Sequence, residues 1–412
     1  MKVPITRPEL GDEEANAAAR VVRSGWLTQG PEVAAFEQEF AQAVGAAHAV
    51  AVCNCTVALE LALRAVGVKR GDEVATVSHS FIATANAVLA VGATPVFVDV
   101  EEDTFGMSPR ALEAALTPNT RAILCVHQIG IPCDLAGILA VAQQHQLPVI
   151  EDAACAIGSE IKIADEWCRI GKPHGTVACF SLHPRKIITT GDGGMITTTD
   201  ENIAKRLRLL RQHGMSVLDS VRHGSTQVVF EQYLEPGFNF RMTDLQASVG
   251  RPQLVKLSDT VARRRRLAER YAEALSSSTL FEVPQERPNS RSNWQSYPLR
   301  IRPQSDITQL EAMQFLLDRG ISTKRGISNA HQEPAYADKR MWSCGVSGCP
   351  SIPGGCAEGS CAKLMVSERL RDTTILIPLF HGMSTDEQTH VINACEELAR
   401  RQPSHGDLNT WK

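Results

Sequence analysis

Apolar residues recur along the first half of the chain in two patterns that alternate. Residues 32–45 place Val33, Phe36, Phe40 and Val44 at three- and four-residue steps, which is typical of an amphipathic helix. Residues 48–53 are a short apolar run, which is typical of a buried strand. Further strands are predicted at 73–77, 95–100, 121–126, 147–152, 177–182 and 194–199, and further helices at 56–67, 83–92, 108–116, 134–145 and 200–212.

This alternation, with short and wholly apolar strands, predicts a largely parallel sheet covered by helices on both faces. The expected fold class is therefore α/β, with a three-layer α/β/α large domain over residues 1–255. Residues 256–412 are expected to form a smaller α+β C-terminal domain that opens with a helix at 261–275. The glycine-rich sequence at 191–194 predicts a tight hairpin or a reversal between the last two strands.

Composition and charge exclude several classes of protein. The 412 residues carry a formal net charge of -4 with a sequence pI near 6.3, which argues against nucleic-acid binding. No apolar run reaches the roughly 18 residues of a membrane span, and the acidic N-terminal segment lacks the pattern of a signal peptide. We therefore expect a cytoplasmic protein with no membrane partner. The arginines at 263–266 are interpreted as a solvated helix face or a support for acidic partners.

Twelve cysteines are expected to stay reduced in that compartment. Four of them, Cys344, Cys349, Cys356 and Cys361, cluster in the loop 341–363, which is rich in cysteine and glycine. Their spacing is looser than that of the usual structural zinc site. We favour a surface loop with reduced thiols over a zinc site, and no metal is predicted.

Residues with distinct chemistry follow the predicted strands, where ligands bind in open α/β sheets. Cys55 and Thr56 open a helix, whose free N–H groups can hold an anion. Phe81, Asp152 and Lys186 follow three other strands. Singly, each has a structural interpretation as a helix cap, a core ring, a salt-bridge partner or a surface lysine. Together they match what pyridoxal 5′-phosphate (PLP) requires, since a lysine forms its Schiff base and an acid pairs with its ring nitrogen.

The sequence resembles the DegT/DnrJ/EryC1/StrS family of PLP-dependent sugar aminotransferases, which have the aspartate-aminotransferase-like (type I) fold. The resemblance rests on collinear segments over roughly residues 5–255, among them NCTVALELALRAVGVKRGDEV, HQIGIPCDL, VIEDAACAIGS, CFSLHPRKIITTGDGGM and GFNFRMTDLQASVGRPQL. The segment ILIPLFHGMSTDEQTHVI resembles the C-terminal signature of the family.

The resemblance implies a set of residues that bind the cofactor: Cys55, Thr56, Phe81, Asp152, Cys155, Ser181, Lys186 and Asn239. Lys186 and Asp152 match the catalytic pair, namely the Schiff-base lysine and the aspartate at the pyridine nitrogen. Phe81 matches the ring that stacks on the cofactor, while Cys55, Thr56 and Ser181 match phosphate-binding positions.

Two of these residues carry further implications. Asn239 matches an asparagine that reaches the phosphate from the neighbouring subunit, which implies a homodimer with shared active sites. Cys155 stands where the family usually has glutamine or histidine beside the phenolic oxygen of the cofactor. A thiol is a weaker hydrogen-bond partner. For Lys186 to act as a base near neutral pH its pKa must fall, and we expect burial and nearby positive charge, to which Arg185 could contribute, to lower it.

The family function implied is transfer of an amino group from glutamate or glutamine to a keto-sugar, often nucleotide-linked, or to a related keto-cyclitol. One alternative is a PLP-dependent sugar dehydratase, although those relatives replace the lysine with histidine. Another is a catalytically idle binding or regulatory protein on the same scaffold. In this family the acceptor is selected by residues that correspond to Trp26–Gln29, 215–235 and 325–335, with His331 loosely matching a position near the substrate.

Overall fold

The structure is a computed structural model that describes residues 1–217, 225–338, 341–345 and 360–401. Its α-helices are α1 (Asp12–Ser24), α2 (Pro31–Val44), α3 (Cys55–Ala65), α4 (Ala83–Ala90), α5 (Pro109–Ala115), α6 (Leu135–His145), α7 (Glu201–Leu210), α8 (Asp244–Val255), α9 (Leu257–Leu275), α10 (Gln309–Asp318), α11 (Met365–Thr373) and α12 (Thr385–Arg400).

The strands of the first half are β1 (His48–Val52), β2 (Glu73–Val77), β3 (Thr94–Val98), β4 (Thr120–Val126), β5 (Val149–Asp152), β6 (Glu160–Ile163), β7 (Glu166–Arg169), β8 (Val177–Ser181) and β9 (Gly194–Thr198). Those of the second half are β10 (Phe281–Glu282), β11 (Ser290–Arg291), β12 (Tyr297–Ile301), β13 (Lys324–Arg325) and β14 (Thr374–Ile377).

Seven strands form the main sheet in the order β1-β9-β8-β5-β4-β2-β3. Neighbours from β8 to β3 are parallel, and β9 runs antiparallel to both β8 and β1. The predicted α/β class with a mostly parallel sheet is therefore confirmed. The glycine-rich sequence does not form a tight hairpin. Ser181 pairs with Gly194, so the reversal between β8 and β9 takes the whole of residues 182–193.

Successive residues of a strand point to opposite sides of the sheet. In the main sheet, the residues on both sides are buried. In β1, Ala49 and Ala51 join one apolar core, while Val50 and Val52 join the other. The first core includes Phe36 of α2, and the second includes residues of α3 such as Leu59, Leu61 and Leu63. This layering explains why the strands read as continuous apolar runs in the sequence.

The second half contributes an antiparallel sheet in the order β10-β12-β14-β13. A third, smaller sheet joins β11 to the hairpin of β6 and β7. The boundary at residue 255 falls between α8 and α9 and stays a prediction. In the part of the chain that the structure describes, no helix is both long and apolar enough to span a membrane.

The interpretation of residues 263–266 is wrong for one of the four arginines. Arg264 is 2% exposed, and its guanidinium donates hydrogen bonds to the carbonyl oxygens of Trp294, Gln295 and Leu379. Burial lowers its pKa to about 9. The helical pattern could not reveal this, because the three carbonyl groups come from distant parts of the chain.

Candidate active site

A cavity of about 750 Å³ opens where β5 and β8 of the main sheet end, and residues of β13 and β14 also line it. Seven of the eight residues predicted to bind the cofactor line this cavity: Cys55, Thr56, Phe81, Asp152, Cys155, Ser181 and Lys186. The carboxyl ends of neighbouring parallel strands meet at one edge of a sheet, which explains why residues so far apart in sequence come together.

Lys186 lies in the connection between β8 and β9, and its Nζ donates a hydrogen bond to Sγ of Cys155 at 3.0 Å. Burial alone would lower the pKa of Lys186. Electrostatic interactions with Cys155, Cys55 and Asp152 and the hydrogen bond to Cys155 outweigh burial, so the pKa is raised. The predicted lowering is therefore wrong for the free enzyme. The sequence suggested the neighbouring Arg185 as the relevant charge, whereas the fold surrounds the amine with groups that favour its ammonium form.

Asp152 is the last residue of β5 and is 4% exposed. Its Oδ2 accepts a hydrogen bond from the hydroxyl of Thr84 at 2.8 Å, and its Oδ1 accepts one from the backbone N–H of Ala154 at 3.2 Å. Burial raises the pKa of Asp152, while the two hydrogen bonds and the charge of Lys186 act in the opposite direction. No hydrogen bond to an arginine or lysine is found for Asp152 among the described residues, so its negative charge is free to pair with a ligand.

Phe81 and the start of α3 line other parts of the cavity. The Phe81 side chain is 70% exposed, unlike a core ring, and therefore offers a flat apolar surface to a ligand. At the start of α3, the Asn54 side chain accepts a hydrogen bond from the N–H of Val57. No protein acceptor within the described residues takes the N–H groups of Cys55 and Thr56, which leaves both available to an anion.

Gly194 permits the close approach of α3 to the end of β8. It pairs with Val52 on one side and with Ser181 on the other. A Cβ atom at Gly194 would lie 2.5 Å from the carbonyl oxygen of Asn54, closer than real Cβ contacts allow. Glycine is therefore required for the two strand ends and the helix start to share one wall of the cavity.

Sequence reasoning missed the segment that holds the lysine and thiol loops together. The amide Nδ2 of Asn293 donates hydrogen bonds to the carbonyl oxygens of Cys155 and Ile157, both at 2.8 Å. The amide Nε2 of Gln295 donates one to the carbonyl oxygen of Arg185 at 2.6 Å. We call these contacts of Asn293 and Gln295 the clamp. In the sequence, its only sign is two amide side chains just before the apolar run that becomes β12.

Asn239 does not line the cavity that its own chain forms. It is exposed, and its Oδ1 accepts a hydrogen bond from Nε of Arg241 at 3.1 Å. Of the described residues in the three regions expected to select the acceptor, only those of 325–335 line the cavity within one chain. His331 is not among them, since it is 4% exposed and contacts Ser78 Oγ at 2.6 Å and Glu368 Oε1 at 3.1 Å.

The cysteine cluster is only partly described. Cys349 and Cys356 lie outside the described residues, so the preference for a metal-free loop stays a prediction. Cys344 and Cys361 are buried in an apolar cluster with Phe97 and Trp342. The expectation of a surface loop is therefore wrong at its two ends.

The cavity fits the chemical requirements of PLP. Lys186 supplies a primary amine, Asp152 a buried carboxylate and Phe81 an exposed ring. The N–H groups of Cys55 and Thr56 and the hydroxyl of Ser181 suit a phosphate. The roles of these residues stay predictions, because their positions alone test no chemistry.

Comparison with known proteins gives concordant results. The sequence matches the DegT/DnrJ/EryC1/StrS aminotransferase family over residues 8–347. It is 37% identical over 400 residues to the spore coat polysaccharide biosynthesis protein SpsC of Bacillus subtilis (strain 168), covering 97% of each chain.

Solved structures agree. The fold is similar to that of DesV from S. venezuelae in complex with a ketimine intermediate, with 33% identity, a TM-score of 0.83 and coverage of 97% and 99% of the two chains. The aminotransferase TlmJ from Streptoalloteichus hindustanus is 31% identical with a TM-score of 0.83, again over 97% and 99% of the two chains.

Proposed function

The chain belongs to the DegT/DnrJ/EryC1/StrS aminotransferase family and is a PLP-dependent sugar aminotransferase, and we propose that its substrates are an amino acid and a keto-sugar. The donor is glutamate or glutamine, and the acceptor is a nucleotide-linked keto-sugar or a related keto-cyclitol. The observation that carries this proposal is the single cavity lined by Lys186, Asp152 and the exposed ring of Phe81. The similarity to SpsC, a spore coat polysaccharide biosynthesis protein, supports a sugar as the acceptor.

Asp152 acts at the ring nitrogen of the cofactor. Its buried carboxylate accepts hydrogen bonds from two neutral donors, which stabilise the charged form without neutralising it. A carboxylate so placed holds a proton on the pyridine nitrogen. PLP, when bound, supplies an electron sink for the bonding pair that the donor's α-carbon releases.

Lys186 acts at the α-carbon. Its Nζ holds the cofactor covalently and, once free and uncharged, removes the proton from the α-carbon of the donor. The clamp of Asn293 and Gln295 fixes the backbone on both sides of the Lys186–Cys155 contact, so the amine keeps its position through both half-reactions.

Asn239 completes the site of a neighbouring subunit in a homodimer. It is exposed and does not line its own chain's cavity, which is compatible with a contact across an interface. Trp26–Gln29 and the described part of 215–235 also do not line that cavity. We infer that these segments reach the partner's cavity, and two-fold symmetry would then complete both sites of the dimer in the same way.

The alternatives are less well supported. A sugar dehydratase of this family has histidine at the position of Lys186, which is present here. An idle scaffold has no need for an amine, a buried carboxylate and unbonded helix N–H groups in one cavity. A direct test incubates the holoenzyme, converted beforehand to its amino form with glutamate, with a panel of free and nucleotide-linked keto-sugars. Amination of at least one keto-sugar is expected, and release of a dehydrated sugar instead would contradict the proposal.

A further inference from the structure

Two cations of the cavity have no carboxylate partner among the described residues. Lys324 in β13 and Arg185 in the connection from β8 to β9 both line the cavity and are exposed. No hydrogen bond or ion pair to an acid is formed by either side chain within those residues. The neighbouring Arg325, in contrast, pairs with Asp372 at 3.3 Å. The positive charges of Arg185 and Lys324 are thus available to bind a ligand that enters the cavity.

The electrostatic surroundings of Lys324 lack a compensating acid. Partial burial lowers the pKa of Lys324, and the charges of Arg185 and Lys186 lower it further, while Cys155 acts in the opposite direction. The three positive groups are therefore near enough to repel one another in a partly enclosed space. Repulsion of this kind is relieved when an anion binds between the charges.

We propose that Lys324, assisted by Arg185, binds the α-carboxylate of the amino donor. This inference rests on the proposed aminotransferase function. The α-carboxylate is bonded to the same carbon that carries the reacting amine, so it must lie beside Lys186. Lys324 lines the same cavity as Lys186 and Cys155 and interacts electrostatically with both. In a nucleotide-linked sugar the phosphates are separated from the keto carbon by the sugar ring, which favours the carboxylate.

The experiment measures the donor half-reaction of the holoenzyme in a stopped-flow instrument, following cofactor absorbance against donor concentration. It compares wild type with Lys324→Gln, with Lys324→Arg and with Lys205→Gln, a control on the exposed face of α7. The substrates are glutamate or glutamine, whichever the wild type uses, and the corresponding α-amide, in which the α-carboxylate is uncharged.

We expect Lys324→Gln to weaken apparent donor binding at least about tenfold, which corresponds to about 1.4 kcal/mol. Lys324→Arg should restore most of the affinity, and Lys205→Gln should match wild type. The α-amide should bind equally weakly to wild type and Lys324→Gln, a result that general damage to the fold would not produce.

Unchanged donor affinity in Lys324→Gln would overturn the inference. So would a loss of affinity confined to the keto-sugar, since that result would assign the cation to a phosphate of the acceptor. Wild-type holoenzyme that reacts with neither glutamate nor glutamine would contradict the proposed donor instead, so the two failures are distinguishable.

Discussion

The Nζ atom of Lys186 lies 3.0 Å from the Sγ atom of Cys155 and donates a hydrogen bond to it. A thiol therefore contacts the lysine directly, at the position that the family resemblance matches to a glutamine or histidine. The contact contributes to the raised pKa of Lys186.

Replacing Cys155 with alanine should lower the pKa of Lys186 by removing a group that stabilises its ammonium form. Only the neutral amine attacks the PLP aldehyde, so apoenzyme of Cys155→Ala should recombine with PLP faster near neutral pH. The pH midpoint of the recombination rate should move to lower pH, followed by visible absorbance. The matched control is Cys168→Ala, whose thiol lies 3.9 Å from Lys172 outside the cavity. A midpoint that stays in place or rises would refute the assignment.

Replacing Asp152 with asparagine should leave PLP bound but abolish most turnover. An amide cannot hold a proton on the pyridine nitrogen, and breaking a buried charge pair costs about 3–5 kcal/mol. We expect kcat to fall at least about a hundredfold, with cofactor content measured by absorbance. Asp192→Asn changes another acid that lines the cavity and should have a much smaller effect. Equal losses in both variants would remove Asp152 from its proposed role.

Asn239→Ala should weaken PLP retention, since a hydrogen bond to a charged phosphate contributes about 1.5–3 kcal/mol. Mixing this variant with Lys186→Ala tests whether the sites are shared. After subunit exchange, each mixed dimer should hold one site with both defects and one with neither, so part of the activity should return.

A mixture of Lys186→Ala and Asp152→Asn is the control for that exchange experiment. Both residues line the cavity of their own chain, so its mixed dimers contain no intact site. Recovery in the control, or none in the Asn239 mixture despite proven exchange, would contradict a shared site.

Arg264→Met should destabilise the fold, because it leaves the buried carbonyl groups of Trp294, Gln295 and Leu379 without their donor. An unsatisfied buried polar group costs about 1–3 kcal/mol, so we expect the free energy of unfolding to fall by about 3 kcal/mol in urea. Arg266→Met changes an exposed arginine of the same helix and should alter stability little. Equal stability of the two variants would show that the buried hydrogen bonds contribute nothing.

The sequence predicted the main sheet because its strands are buried on both faces and therefore read as unbroken apolar runs. It did not predict α1 or the hairpin of β6 and β7. In α1, alanines and charged residues leave only Glu14 and Val21 buried, so no apolar stripe appears. In the hairpin, most residues are partly exposed.

The predicted cavity residues came together because each follows a strand or opens a helix of one sheet. Contacts that join distant segments could not be predicted from the sequence. The clamp of Asn293 and Gln295 depends on where β12 begins relative to the main sheet. The direction of the Lys186 pKa depends on Asp152 and Cys155 after β5 and on Cys55 after β1, which no local pattern brings together.

The most direct test of the account identifies the lysine that binds PLP. The holoenzyme is reduced with borohydride, digested and analysed by mass spectrometry. Two lysines, Lys186 and Lys324, are among the described residues that line the cavity. The experiment can therefore distinguish between two candidate lysines. We predict that the mass of the reduced cofactor is found on the peptide that contains Lys186, and that Lys186→Ala loses it while remaining folded. Cofactor on the peptide that contains Lys324, or on any other lysine, would contradict the central claim.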